Sequence, residues 1–85
     1  MKRRLLLNKL ARGSFQNVPF ADMLRLMEGF GFSVVRIKGS HHILAHRNVP
    51  EVLNLQEVHG EAKPYQIRQA LRLVERYNLA LEDAE

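Results

Sequence analysis

At 85 residues the chain has room for one domain, residues 1–85, and its apolar share of 46% with a charged share of 26% excludes a disordered polymer. It contains no cysteine, which removes disulfides, thiolate chemistry and cysteine-based zinc sites together. The net charge of +4 is unevenly spread: Glu82-Asp83-Ala84-Glu85 holds three of the nine acids, leaving thirteen Lys/Arg against six Asp/Glu in residues 1–81, a basic body suited to nucleic acid or an acidic protein.

The start, Met1-Lys2-Arg3-Arg4-Leu5-Leu6-Leu7, imitates a secretion signal, but Asn8, Lys9 and Arg12 interrupt the apolar run and no small-residue cleavage site follows. No apolar stretch approaches the roughly 20 residues that span a bilayer, so a cytoplasmic protein without membrane contact is expected. Residues 2–12 read as a short basic helical extension, with Leu6, Leu7, Leu10 and Ala11 on one side and Gly13 as its stop. Next comes a loop in which Ser14 or Asn17 could cap a second helix. That helix is expected from Pro19, with Phe20, Met23, Leu24 and Met27 at helical spacing and Gly29 and Gly31 bracketing its end.

The pattern then changes period. Phe32 to Lys38 is rich in β-branched residues, Gly39-Ser40 supplies a tight turn, and His41 to Arg47 reads as the antiparallel return strand. Asn48-Val49-Pro50 is expected to break it, Val52 to Leu55 to form a short third strand, and His59-Gly60 to lie in a loop. Pro64 opens a last helix with Ile67, Ala70, Leu71 and Val74 as its buried stripe and Arg68, Arg72 and Arg76 as a basic one. That helix should end near Asn78, with residues 80–85 a frayed acidic tail. The fold class is therefore α+β, with helices on one face of a three-stranded antiparallel sheet.

Three of the four histidines, His41, His42 and His46, fall within six residues. Metal binding by this cluster is disfavoured by strand geometry. Residues four apart lie roughly 13 Å apart along a strand, and neighbours point to opposite faces, whereas ligand nitrogens must meet at about 2 Å from one ion. No metal or other cofactor is expected. Acid–base chemistry fits better, because imidazole exchanges protons near neutrality and Arg36 and Lys38 across the hairpin could neutralise a phosphate. These parts suit RNA cleavage, in which imidazole takes the ribose 2′-hydroxyl proton and cations stabilise the phosphorane. Gly-Ser is also an ordinary hairpin turn, and histidines on a half-exposed strand are often plain surface. His41, Ile43 and Ala45 form one side of the strand and His42, Leu44 and His46 the other, and neither set is clearly more apolar.

Lys38-Gly39-Ser40-His41-His42-Ile43-Leu44-Ala45-His46, followed by Val58-His59-Gly60, Lys63-Pro64 and Arg68, resembles the hairpin, loop and last-helix start of HicA (YcfA-like) toxins over residues 19–79. The resemblance implies an α-β-β-β-α domain similar to a double-stranded-RNA-binding domain, here with an extra N-terminal helix. It also implies a metal-independent endoribonuclease (mRNA interferase) toxin acting on mRNA and a cognate HicB-like antitoxin that covers the active site. The family's catalytic histidine, directly after Gly-Ser, corresponds to His41, with His42 as the fallback. Arg36, Lys38, Ser40, Lys63, Arg68 and Arg72 are the expected RNA-binding residues. Glu57 departs from the family's proline before Val-His, and Pro64-Tyr65-Gln66-Ile67-Arg68 from its usual Pro-Gly-Thr-Leu-Arg. A thinly cored chain of this size also leaves a homodimer as a ready source of further burial. A non-catalytic RNA-binding module on the same fold would need the basic last helix but not the histidine.

Overall fold

A computed structural model describes residues 2–82. Its elements run α1 (Arg3–Ala11), α2 (Phe20–Gly29), β1 (Ser33–Lys38), β2 (His41–His46), β3 (Val49–Val58), β4 (Glu61–Ala62) and α3 (Pro64–Arg76). The strands form one antiparallel sheet in the order β1-β2-β3-β4, in line with the α+β class.

The sheet departs from the expected three strands. Val49-Pro50 does not break the chain but begins β3, because Arg47 and Asn48 alone make the turn from β2. Proline tolerates such a place because this end of β3, unlike the end paired with β4, has no partner on its outer edge. The short strand expected at Val52 to Leu55 thus extends over ten residues, Val49–Val58. His59 and Gly60 both adopt positive φ, 52° and 78°, the two-residue geometry that returns one antiparallel strand against the next. That turn makes the fourth strand, Glu61–Ala62, and Gly60 O accepts the Phe20 N–H at 2.9 Å, fixing the start of α2.

One core lies between sheet and helices. Leu6 and Leu10 of α1, Phe20, Met23, Leu26 and Met27 of α2, Ile67, Ala70 and Leu73 of α3, and Leu44, Leu53 and Leu55 of the sheet are all buried in it. One expectation is corrected here. Leu26 rather than Leu24, and Leu73 rather than Leu71 and Val74, take the buried places, since each helix is turned slightly from the expected stripe. In the N-terminal helix, Leu6 and Leu10 of the expected apolar side enter the core, each 1% exposed. Neither Ser14 nor Asn17 caps α2; Pro19 stands at the cap, and Asn17 takes φ 57° in the loop. At the other end α3 stops at Arg76, and Asn78 closes it at φ 52°. Of the tail expected to fray, Leu81 instead packs against the core and the Glu82 N–H donates to Gly29 O at 2.8 Å, while residues 83–85 lie outside the described residues.

Two contacts tie the helical layer to the sheet. Gln66, buried in the first turn of α3, accepts the Gln56 N–H through Oε1 at 2.6 Å. Near the other end of α3 the Tyr77 hydroxyl donates to Glu51, whose second oxygen accepts from Arg76 at 2.8 Å. The hydrogen bond to the Glu51 carboxylate holds the Tyr77 phenol above the ordinary tyrosine range, reinforced by desolvation and the carboxylate's charge. A raised folded-state value means that this contribution is complete below the ordinary tyrosine pKa, about 10, and is lost as pH rises through the folded one. An ultraviolet titration should therefore show Tyr77 ionising late, and Glu51→Gln should bring its midpoint down.

Gly31 combines a φ of 100° with a close approach, since a Cβ there would lie 2.7 Å from His46 Nε2. Gly13 has φ 84° with open space around it. Gly31→Ala should cost about 2–3 kcal/mol in urea unfolding, against about 1 kcal/mol for Gly13→Ala, the difference reporting the clash rather than the backbone strain.

Candidate active site on the open face of the sheet

Leu44 is fully buried at the middle of β2, and the two-residue period of a strand sorts its neighbours from there. His42 and His46 share the side of Leu44 and meet the helical layer. The His42 ring lies 4.7 Å from that of Phe20, and the His46 ring 5.2 Å from that of Phe32. His41 and Ile43 fall on the other side.

Gly39, at φ 60°, occupies the first position of the tight turn between β1 and β2, where a two-residue hairpin favours glycine. Lys38 and His41 are consequently paired across the turn, and Arg36 is paired with Ile43 after a bulge at Val35. The register brings Arg36, Lys38, His41 and Ile43 together with Asn54 of β3 around a shallow depression of about 610 Å³, large enough for a nucleotide-sized group. All of its lining residues belong to β1, β2, β3 and the turn, so no helix covers it.

The three strand histidines differ in what their nitrogens do. His46 accepts the Asn48 N–H at Nδ1, 3.0 Å, and donates from Nε2 to Phe30 O at 3.1 Å. Both its nitrogens are engaged in holding the β2–β3 turn to the end of α2. His42 Nδ1 is buried with no hydrogen-bond partner. His41 Nδ1 lies 3.2 Å from Asn54 Oδ1. His59 sits exposed in the turn between β3 and β4.

The other expected RNA-binding residues divide by position. Ser40 Oγ accepts from Gln56 Nε2 at 3.3 Å, and Gln56 Oε1 accepts from Lys63 Nζ at 3.3 Å. Gln56 is paired directly with His41, so this chain brings Ser40 and Lys63 to the rim of the same face. Arg68 and Arg72 do not join the depression. Arg68 lies over the Phe15 ring, 5.4 Å from its centre, and Arg72 lines, with Gln69 and Arg76, an adjoining groove that shares Asn54 with the depression. The basic stripe expected along α3 is thereby split among an aromatic contact, a groove and the Glu51 ion pair.

Sequence reasoning does not single out Asn54 and Gln56. The available signal is their alternation with Leu53 and Leu55, which places both amides opposite the core, but its use requires the third strand's full length and register. Among the described residues no group of three or more His, Asp or Glu side chains is gathered as a metal site, and no helix is long and apolar enough to cross a membrane.

The burial of an unpartnered His42 nitrogen against Phe20 has a thermodynamic consequence. His42→Leu removes the unsatisfied polar atom while keeping most of the ring's volume, so it should leave stability unchanged or raise it by about 1–2 kcal/mol. Thermal unfolding at neutral pH measures this, and a marked loss would mean that the ring is held by a bond other than packing.

No curated protein and no solved structure matches the chain. Residues 20–75 match the family model described as HicA toxin of bacterial toxin-antitoxin. This stretch runs from the start of α2 nearly to the end of α3 and takes in the whole sheet. The chain belongs to the HicA toxin family, the toxin side of bacterial toxin–antitoxin pairs.

Proposed function

We propose that this toxin is a metal-independent endoribonuclease that cleaves mRNA with His41 as general base. The observation that carries the reading is the sidedness of β2: His41 stands on the uncovered face beside Arg36 and Lys38, whereas His42 and His46 are turned into the helical layer. Of the two histidines after Gly39-Ser40, the fallback His42 packs against Phe20 and has the less suitable position for a large substrate.

The chemistry follows from that arrangement. Neutral His41 removes the proton from a ribose 2′-hydroxyl, and the oxygen attacks the adjacent phosphorus as the bond to the 5′-oxygen breaks and that oxygen takes up a proton from water. Lys38 and Arg36 hold the phosphate and offset the charge that grows on its non-bridging oxygens. The products are a 2′,3′-cyclic phosphate and a 5′-hydroxyl, and DNA, lacking the 2′-hydroxyl, is spared. Ser40 and Lys63 extend the phosphate contacts along the rim, Arg72 adds a cation in the groove that shares Asn54 with the depression, and Arg68 lies over Phe15. A cognate HicB-like antitoxin would silence the enzyme by covering the open face.

Cleavage of single-stranded mRNA by the purified protein in EDTA tests this directly. His41→Ala should lower the rate by about 10²–10⁴ while leaving RNA binding in place, and Lys38→Ala with Arg36→Ala should weaken binding and flatten its salt dependence. Undiminished cleavage by His41→Ala would remove His41 from the reaction. Binding without any scission by the unaltered protein would favour a non-catalytic RNA-binding module.

A further inference from the structure

We propose that Asn54 is a positioning residue that selects the tautomer of His41, placing the proton on Nδ1 and leaving Nε2 as the basic nitrogen. This rests on the ribonuclease reading for its consequence, but its geometric basis is separate.

An amide oxygen has lone pairs and no hydrogen, so Asn54 Oδ1 can only accept. With Oδ1 turned to His41 Nδ1 at 3.2 Å, the bond calls for an Nδ1–H, whereas the reversed amide would donate from Nδ2 and call for the other tautomer. A neutral imidazole carries a single N–H, and the lone pair must then sit on Nε2. Free imidazole side chains favour the opposite arrangement, with the proton on Nε2. His46 adopts that opposite arrangement in this same strand, because the Asn48 N–H donates to its Nδ1. The acceptor at position 54 therefore distinguishes two histidines five residues apart on β2.

The contact is built into the sheet. His41 is paired with Gln56 and Ile43 with Asn54, so Asn54 is the diagonal neighbour of His41 on the same face, within reach of a long side chain. Leu53 and Leu55 on either side of Asn54 are buried in the core, which obliges the amide to point to the open side. Gln56, directly opposite His41, is already engaged with Ser40 and Lys63, leaving Asn54 as the group that orients the ring. An amide does this without placing a negative charge beside the cations Arg36 and Lys38, where a carboxylate would compete with a phosphate for them.

The test reads the imidazole and the reaction separately. In ¹⁵N NMR of the full chain at a pH where the ring is neutral, His41 should show a protonated Nδ1 and an unprotonated Nε2. Asn54→Leu should shift that population toward Nε2–H. The same variant should lower kcat about tenfold, short of the loss caused by removing the base, with KM little changed. Asn54→Asp keeps an acceptor and should keep the Nδ1–H tautomer, with KM raised as the carboxylate competes with phosphate for Arg36 and Lys38 and the acidic limb of the pH–rate profile moved to higher pH. An Nε2–H tautomer in the unaltered protein, or a tautomer that ignores Asn54→Leu, overturns the assignment. If the tautomer responds as expected and RNA is still not cleaved by the unaltered protein, the role of Asn54 in orienting the ring stands and the ribonuclease reading fails.

Discussion

Leu44 has no solvent exposure, and it occupies the middle of the one strand that is paired along its length on both sides. Because side chains alternate along a strand, burying this residue commits its neighbours in both directions. His42 and His46 go with it into the helical layer, and His41 is sent to the other face. The pairing then carries the same parity outward, so that Leu53 and Leu55 turn inward on β3 while Asn54 turns outward. On β1 the bulge at Val35 adjusts the register before Arg36 and Lys38. A purely apolar contact in the core thus decides which polar groups meet on the far side of the sheet.

The two layers perform different work. Helices α1, α2 and α3 contribute most of the buried apolar side chains, and the polar contacts from Gln66 and Tyr77 hold α3 to β3 at both ends. With one face of the sheet so occupied, the other is left bare and rigid. Functional groups on strands are held more firmly than groups on loops, and a flat, uncovered face admits a polymer that a closed pocket would exclude. The positive side chains at Arg36, Lys38 and Lys63 give that face the sign expected for a phosphate-bearing ligand.

Much of this is legible in the residues themselves. The change from helical spacing before Gly31 to β-branched residues after it marks the start of the sheet, and Gly39-Ser40 marks the hairpin, because the physical causes of those features are local. The fourth strand is not legible. Glu61-Ala62 is too short to show a period, and its pairing depends on a histidine taking positive φ at position 59. Pro50 suggests a break because its place on an unpaired strand edge is a property of the assembled sheet. The sidedness of β2 is also out of reach, since His41-Ile43-Ala45 and His42-Leu44-His46 are similarly apolar sets and only packing against Phe20 and Phe32 separates them. The basic stripe at Arg68, Arg72 and Arg76 illustrates the reverse case, in which correct helical spacing predicts a common surface that neighbouring side chains divide.

Two identical side chains in succession at 41 and 42 give the hairpin an unusual form of redundancy. Shifting β2 by one residue would exchange the histidines between faces and still present an imidazole beside the turn. It would also drive Leu44 into water and bring the smaller Ala45 or the half-buried Ile43 into the core in its place. The chain therefore encodes which imidazole is displayed through an aliphatic residue two or three positions away, and a histidine-for-histidine swap is invisible to composition but not to packing. Display in such a design is addressed by register: the imidazole is written twice, and the hydrophobic core selects the copy that faces outward.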